Sequence, residues 1–234
     1  MGIWIKGAKV LYRNSNELEL KSVLIEQGKI AKIVDAGQEP DTAGHETIDA
    51  QGHLLSPGFI DMHVHLRDPG LEYKETIATG TLAAARGGFT TVACMPNTKP
   101  VIDQPETVRY VYDTARQEGA VRVLTYACIT KGEQGKKLTD FAALKEAGAI
   151  GYTDDGVGVQ SAQMMKDAMR LAASLGQPII AHCEDDTLVA GAAVTEGEFA
   201  RRHGLKGIPN ESEAIHVGRD ILLAEATGVH YHVC

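Results

Sequence analysis

The chain has 234 residues, of which 44% are hydrophobic, 23% charged and 5% aromatic, and its formal net charge is −8. This is globular composition, which excludes wholesale disorder, and the acidic balance argues against nucleic acid as a partner. No apolar run approaches the ~20 residues of a membrane helix, and residues 1–13 lack a signal-peptide apolar stretch, so no membrane association is expected.

The first 55 residues predict a small antiparallel β module. Residues 2–12 and 46–55 read as short strands, and residues 23–34 as two strands around a Gln27-Gly28 turn. Ser56-Pro57-Gly58 punctuates its end. Residues 56–234 form the second domain, where the rhythm changes to strand-helix alternation. Strands are expected at 59–65, 90–95, 121–129, 150–153, 178–183 and 229–234. Helices are expected at 75–86, 105–118, 140–147, 162–175 and 212–227, with a long loop before the last. Ser161 suits the N-cap of the fourth helix and Gly176 the position after its end. Met164, Ala168, Leu171, Ala172 and Leu175 make its expected apolar stripe.

Alternating strands and helices mean an α/β fold with parallel pairing, either a doubly wound sheet or a (β/α)8 TIM-like barrel. The barrel is favoured because His63, His65, Asn97, Asp154, Asp155 and His182 all fall at C-terminal strand ends, where barrel enzymes keep their chemistry. About five βα units plus a sixth strand fall short of the roughly 250 residues of a full barrel. The expectation is therefore an incomplete barrel in a chain truncated at its C-terminus; the other reading is a complete open sheet.

His63 and His65, two apart on a strand, point to the same side roughly 6–7 Å apart and can converge on one metal ion. A lone His-x-His is more often a surface or pocket pair. Its context raises its weight: an apolar strand, a preceding Pro57-Gly58 turn, and Arg67 and Asp68-Pro69-Gly70 just beyond. His182 alone reads as a hydrogen-bonded core histidine, but as a third histidine at a strand end it becomes a credible ligand. Asp154 and Asp155 precede Gly156 and read either as a turn or as a carboxylate delivered to the same mouth. Arg67 reads either as a carboxylate grip or as a salt-bridge partner of Glu72 or Glu75, and Asn97 as an orienting amide or a turn residue after Pro96. The four cysteines, Cys94, Cys128, Cys183 and Cys234, contain no CxxC pair, which excludes a cysteine zinc knuckle. They read as reduced, mostly buried thiols of a cytoplasmic protein.

Taken together, His63-Val64-His65-Leu66-Arg67-Asp68-Pro69-Gly70, Met95-Pro96-Asn97-Thr98, Thr153-Asp154-Asp155-Gly156 and Ala181-His182-Cys183-Glu184 resemble the bacterial class I dihydroorotases of the amidohydrolase superfamily. The resemblance runs over essentially the whole chain. It implies a small N-terminal β-sandwich followed by a barrel, and a site with two zinc ions. His63 and His65 would bind one zinc and His182 the other. Asp155 would bridge them, where hydantoinase-like relatives use a carbamylated lysine. His65, Arg67 and Asn97 would bind the substrate. The implied reaction interconverts dihydroorotate and N-carbamoyl-L-aspartate in pyrimidine biosynthesis.

The resemblance also places a general acid/base aspartate on the last barrel strand and a further histidine ligand just past Cys234, neither of them in these 234 residues. That leaves His230 and His232 as structural or supporting residues and predicts that the 234-residue chain is inactive by itself. Implied partners are the small-molecule substrate and either a second copy or a transcarbamoylase of the same pathway. The rival readings are a hydantoinase- or allantoinase-type enzyme and a non-catalytic scaffold of the same fold.

Overall fold

The computed structural model describes residues 2–11, 17–38, 44–189 and 191–234. Tyr12, the end of the first expected strand, lies outside the described residues. The chain divides into two compact units, Met1–Gly58 and Phe59–Cys234.

The first unit is one five-stranded sheet. β1 (Ile3–Leu11), β2 (Leu18–Glu26) and β3 (Lys29–Asp35) form an antiparallel meander. β2 and β3 meet at Gln27 and Gly28, both at positive φ (50° and 72°), the backbone a tight hairpin needs. The expected antiparallel pattern stops there. β4 (Glu46–Asp49) and β5 (Leu54–Leu55) pair with β1 in parallel, on the side away from β2. β3 lies at one edge of the sheet and β4 on the far side of β1, and such a non-adjacent placement sets strands parallel. Trp4, Ala8, Val23 and Leu24 are the buried apolar residues among those described in this unit.

The second unit is built of strand-helix repeats. β6 (Phe59–Val64) leads to α1 (Ile77–Arg86), β7 (Phe89–Cys94) to α2 (Pro105–Glu118), and β8 (Arg122–Thr125) to a 3-10 turn and α3 (Phe141–Ala147). Then come α4 (Ala162–Ser174), β9 (Ile179–Ala181), α5 (Asp186–Val189), β10 (Val194–Thr195), α6 (Glu198–Arg202), β11 (Gly207–Ile208), α7 (Glu211–Thr227) and β12 (Tyr231–Val233). The long loop before α7 thus carries short elements of its own. β6, β7 and β8 pair in parallel. The strand expected at 150–153 is reduced to Tyr152, which bridges in parallel to Ala127 on one side and Ile179 on the other. β9 pairs in parallel with β12. The run β6-β7-β8-Tyr152-β9-β12 is that of a partial (β/α) barrel.

Local signals account for the helix ends. Thr76 and Thr79 form a reciprocal capping box at α1, and the Asp140 carboxylate caps α3. Ser161 accepts the Met164 N–H at 3.3 Å, and Gly176 follows α4 at φ 64°. The apolar stripe of α4 differs from expectation. Met165, Ala168, Met169 and Ala172 are its buried face, Met164 is only partly buried and Leu171 is exposed. The spacing i, i+3, i+4, i+7 faces the barrel, and starting one residue later turns the face by about 100°. The core joins this face to Val92, Val108, Leu144, Ile179 and the stacked rings of Phe141 and Tyr152, whose centroids are 3.8 Å apart. All four cysteines are free thiols, three buried and Cys234 exposed.

Candidate metal centre

β6 delivers His63 on its last turn of pleat and His65 just past its end. Their rings meet edge-on, with centroids 5.2 Å apart. The His63 N–H donates to the Asp61 carboxylate at 3.0 Å, where the pairing of β6 with β7 shifts register. Beyond His65 the chain turns sharply, with Arg67 at φ 62° and Gly70 at φ 85°. A Cβ on Gly70 would lie 1.6 Å from the Lys99 carbonyl oxygen, so only glycine lets this loop lie against the loop after β7. The Lys99 N–H donates to the Pro69 carbonyl at 2.9 Å, and the Tyr110 hydroxyl donates to Asp68 at 2.9 Å. Two adjacent strand-end loops are thereby locked side by side, and Asn97 comes within reach of His65.

Asp155 is the hub. It is 5% exposed. Its Oδ1 lies 3.6 Å from His63 Nε2 and 4.0 Å from His182 Nδ1; its Oδ2 lies 3.6 Å from His65 Nε2. Asn97 bridges this group: its Nδ2 donates to Asp155 Oδ2 at 3.0 Å, and its Oδ1 accepts from His65 Nδ1 at 2.9 Å. The opposite amide orientation would set an oxygen against the carboxylate, so Asp155 fixes the amide. His65 therefore carries its proton on Nδ1 and presents the Nε2 lone pair to Asp155. His182 Nε2 lies 3.2 Å from the Glu184 carboxylate.

Asp154 points the other way, as neighbours on extended backbone do. It accepts from the Thr130 N–H at 3.0 Å and from the Thr130 hydroxyl. Among the described residues Arg67 makes no salt bridge. Glu72 instead accepts from the Gly70 N–H at 2.6 Å, and Glu75 pairs with the Thr79 hydroxyl. His230 is exposed, and His232 lies on β12 opposite Ile180.

Burial holds the His65 imidazole below its usual pKa, with the Arg67 charge adding to this and the Asn97 hydrogen bond opposing it. The neutral imidazole so favoured is the form that ligates a metal. Burial raises Asp154 to about 6, against the hydrogen bonds from Thr130. Burial, and then repulsion from Asp154, push Glu133 up to about 8.

The donor set fits a metal ion. Ligand atoms of His63, His65 and Asp155 lie within 4.8 Å of one another. Asp155 Oδ1 receives no hydrogen bond among the described residues and faces imidazole nitrogens instead. Donors around one tetrahedral zinc stand roughly 3.4 Å apart, close to the 3.6 Å found here. Cys128, Glu133 and Asp154 are also near enough to share an ion. Both Asp154 oxygens are already engaged by Thr130, and a Glu133 with its pKa near 8 stays protonated at neutral pH.

The structure thus brings His63, His65, Asn97, Asp155 and His182 together at one end of the parallel run. Sequence reasoning assigned no role to Glu184, although it lies in a quoted motif, nor to Glu133. It also read residues 212–227 only as a helix. There His216, Arg219 and Asp220 sit at i, i+3, i+4, a polar stripe that ordinarily marks a solvated face.

Comparison with known proteins extends these observations. A family model described as dihydro-orotase-like matches residues 52–234. The dihydroorotase of Brevibacillus brevis is 58% identical over 235 residues, covering 100% of this chain and 54% of the relative. That of Bacillus caldolyticus is 57% identical over 234 residues, with 100% and 54% covered. The chain spans about half the length of the curated relatives it matches. Among solved structures, an L-hydantoinase (dihydropyrimidinase) from Arthrobacter aurescens superposes with a TM-score of 0.82 at 22% identity, over 99% of this chain and 52% of that one. A dihydropyrimidinase from Brevibacillus agri superposes with a TM-score of 0.74 at 22% identity, over 100% and 51%. At such identity the likeness is one of fold. The match of the family model over most of the chain, on the residues that build this centre, shows that the chain belongs to the dihydro-orotase-like family.

Proposed function

We propose that the protein is a metal-dependent cyclic amidohydrolase that interconverts dihydroorotate and N-carbamoyl-L-aspartate, a step of pyrimidine biosynthesis in the cytoplasm. The observation that carries this reading is the buried Asp155 carboxylate, which faces three imidazoles at 3.6, 3.6 and 4.0 Å. The name shared by the curated relatives supports the choice of substrate.

The metal is zinc, and a complete site takes two. His63, His65 and Asp155 would hold one; His182, with Asp155 shared, would hold the other. When bound, the metals supply Lewis acidity toward the ring amide carbonyl and lower the pKa of a water molecule. The chain's own residues do the rest. Asn97 keeps the His65 proton on Nδ1, so that Nε2 stays available to a ligand. Arg67, with no competing ion pair among the described residues, grips the substrate carboxylate in a bidentate fork, and His65 and Asn97 flank it. In hydrolysis the ring C–N bond breaks, the water oxygen ends on the carbonyl carbon, and a proton reaches the ring nitrogen. Ring closure reverses each change and releases water. No described residue is assigned the general acid/base. The partner expected besides substrate is a second copy or a transcarbamoylase of the pathway.

The test offers dihydroorotate, hydantoin and allantoin in parallel to the zinc-loaded protein, measuring equilibrium binding. Dihydroorotate should be selected, and Arg67→Leu should weaken its binding by at least about 10-fold. Preference for either other ring overturns the substrate assignment.

A further inference from the structure

Behind His182 lies a buried polar network outside the donor set described above. α7 presents His216, Arg219 and Asp220 on one face, with Asp220 0% and His216 2% exposed. A buried carboxylate needs partners. Arg219 provides them, through Nε at 2.8 Å and Nη2 at 2.7 Å from Asp220 Oδ1. The Tyr231 hydroxyl donates to Asp220 Oδ2 at 3.2 Å. Cys183, His216 and Asp220 are close enough to share an ion. However, the Arg219 guanidinium stands among them, 2.5 Å from His216 Nε2, and a fixed cation there excludes a metal.

The network does other work. A guanidinium only donates, so His216 Nε2 is the acceptor and the His216 proton sits on Nδ1. Nδ1 lies 3.1 Å from the Glu184 carbonyl and 3.2 Å from the Glu184 N–H; because Arg219 takes the Nε2 lone pair, Nδ1 carries the proton and donates to the carbonyl. The second lone pair of that carbonyl accepts from Gln160 Nε2 at 2.8 Å. Arg219 also donates to the Gln160 and Val159 carbonyls, each at 2.8 Å. One helix face thereby ties together the loop that follows Asp155 and the loop that follows His182. Within the second loop the Glu184 carboxylate, 3.2 Å from His182 Nε2, accepts its proton. That choice leaves the lone pair on His182 Nδ1, the nitrogen facing Asp155 Oδ1 at 4.0 Å.

We propose that His216 and Arg219 are positioning residues for His182. They hold the Glu184 main chain, whose carboxylate selects the His182 tautomer with Nδ1 open to a metal. The consequence for metal affinity rests on the two-metal reading above; the tautomer does not.

The test therefore has two readouts. The first is the His182 tautomer in metal-free protein, from nitrogen-proton multiple-bond correlation spectra at about pH 9, well above the ordinary imidazole pKa of about 6.5. Wild type should show the Nε2–H form. His216→Phe should turn this into a mixture of tautomers. His216→Asn, whose amide N–H can take the place of Nδ1–H, should restore it. The second is cobalt titration followed by visible absorption. His216→Phe should weaken the His182-dependent site by about 10–100-fold and leave the His63/His65/Asp155 site unchanged.

Gln160→Leu removes one of the two donors to Glu184 at an exposed position and leaves the buried ion pair intact. It should shift the tautomer in the same direction by less, and it decides the matter should His216→Phe fail to fold. An unchanged tautomer in both His216→Phe and Gln160→Leu overturns the proposal. Should wild type take up fewer than two cobalt ions, the tautomer readout alone decides the positioning role.

Discussion

The two units treat their strands differently. In Met1–Gly58 a single mixed sheet buries Trp4, Ala8, Val23 and Leu24 and leaves Leu20, Ile30 and Leu54 exposed, Ile30 at 65%. In Phe59–Cys234 the later residues of β7 and all of β9 are buried, side chains of both faces included. Parallel strands lie between layers and leave no polar face along their length. The side chains of the candidate centre stand at the strand ends, where β6 and β9 and the segment after Tyr152 converge on Asp155, although β6 itself exposes Phe59, Ile60 and Met62. The lesson is that burial on both faces gathers chemistry at one edge, whereas a sheet with one open face has no reason to gather it.

The contrast can be broken most directly at the hub. Asp155→Asn keeps the size of the side chain and removes its charge. Zinc or cobalt affinity should fall by at least about 100-fold while the circular-dichroism spectrum stays native. Wild-type affinity would mean that any metal sits elsewhere.

Next in size is the core. Met169 is fully buried in α4, so Met169→Ala should cost about 2–5 kcal/mol in denaturant unfolding, by lost transfer energy and the cavity left behind. A cost under about 1 kcal/mol would mean that the barrel unit is loosely packed around this helix.

A smaller effect sharpens the electrostatics of the barrel unit. The Glu133 pKa is raised to about 8 in the folded chain against about 4.3 in the unfolded chain. A raised carboxylate stabilises the fold fully below the unfolded value and loses that contribution as pH rises through the folded one. Asp154, raised to about 6, acts in the same direction. The contribution of these two carboxylates to the melting temperature of the metal-free protein should therefore decline between about pH 4 and pH 8, while His65, held down by burial, acts in the opposite sense up to its unfolded value of about 6.5. Glu133→Gln should flatten the upper part of that decline, and an unchanged slope would remove burial of Glu133 as its cause. The effect is modest because Glu133 is only partly buried.

The smallest effect belongs to the first unit. Ile30→Ala should change stability by less than about 0.5 kcal/mol, since the side chain is largely exposed. A loss comparable to that of Met169→Ala would show this face to be covered in solution and would dissolve the contrast between the units.

Much of the barrel unit could be read directly. Apolar runs followed by helical spacing located its strands and helices, because burial on both faces writes itself into the chain as uninterrupted apolar residues. Caps at Ser161 and Gly176 were legible because a side-chain acceptor and a left-handed residue are local requirements. The strand around Tyr152 was not legible at its true length, since pairing depends on two neighbours distant in sequence. The face of α4 was placed one residue early because Met164, Met165 and Leu171 are equally apolar, and only packing separates them.

For the centre itself, residue order alone determined that His63 and His65 share a strand face and that a third histidine and an Asp-Asp pair fall at strand ends. It left open which aspartate faces them. The tertiary structure decided that, because Thr130 draws Asp154 away and Asn97 meets Asp155. It also joined His216, Arg219 and Glu184 into one support for His182. These contacts span up to 60 positions along the chain, as from Arg219 to Val159. A local pattern reports spacing along one element, while a hydrogen-bond network is closed only when separate elements are packed together.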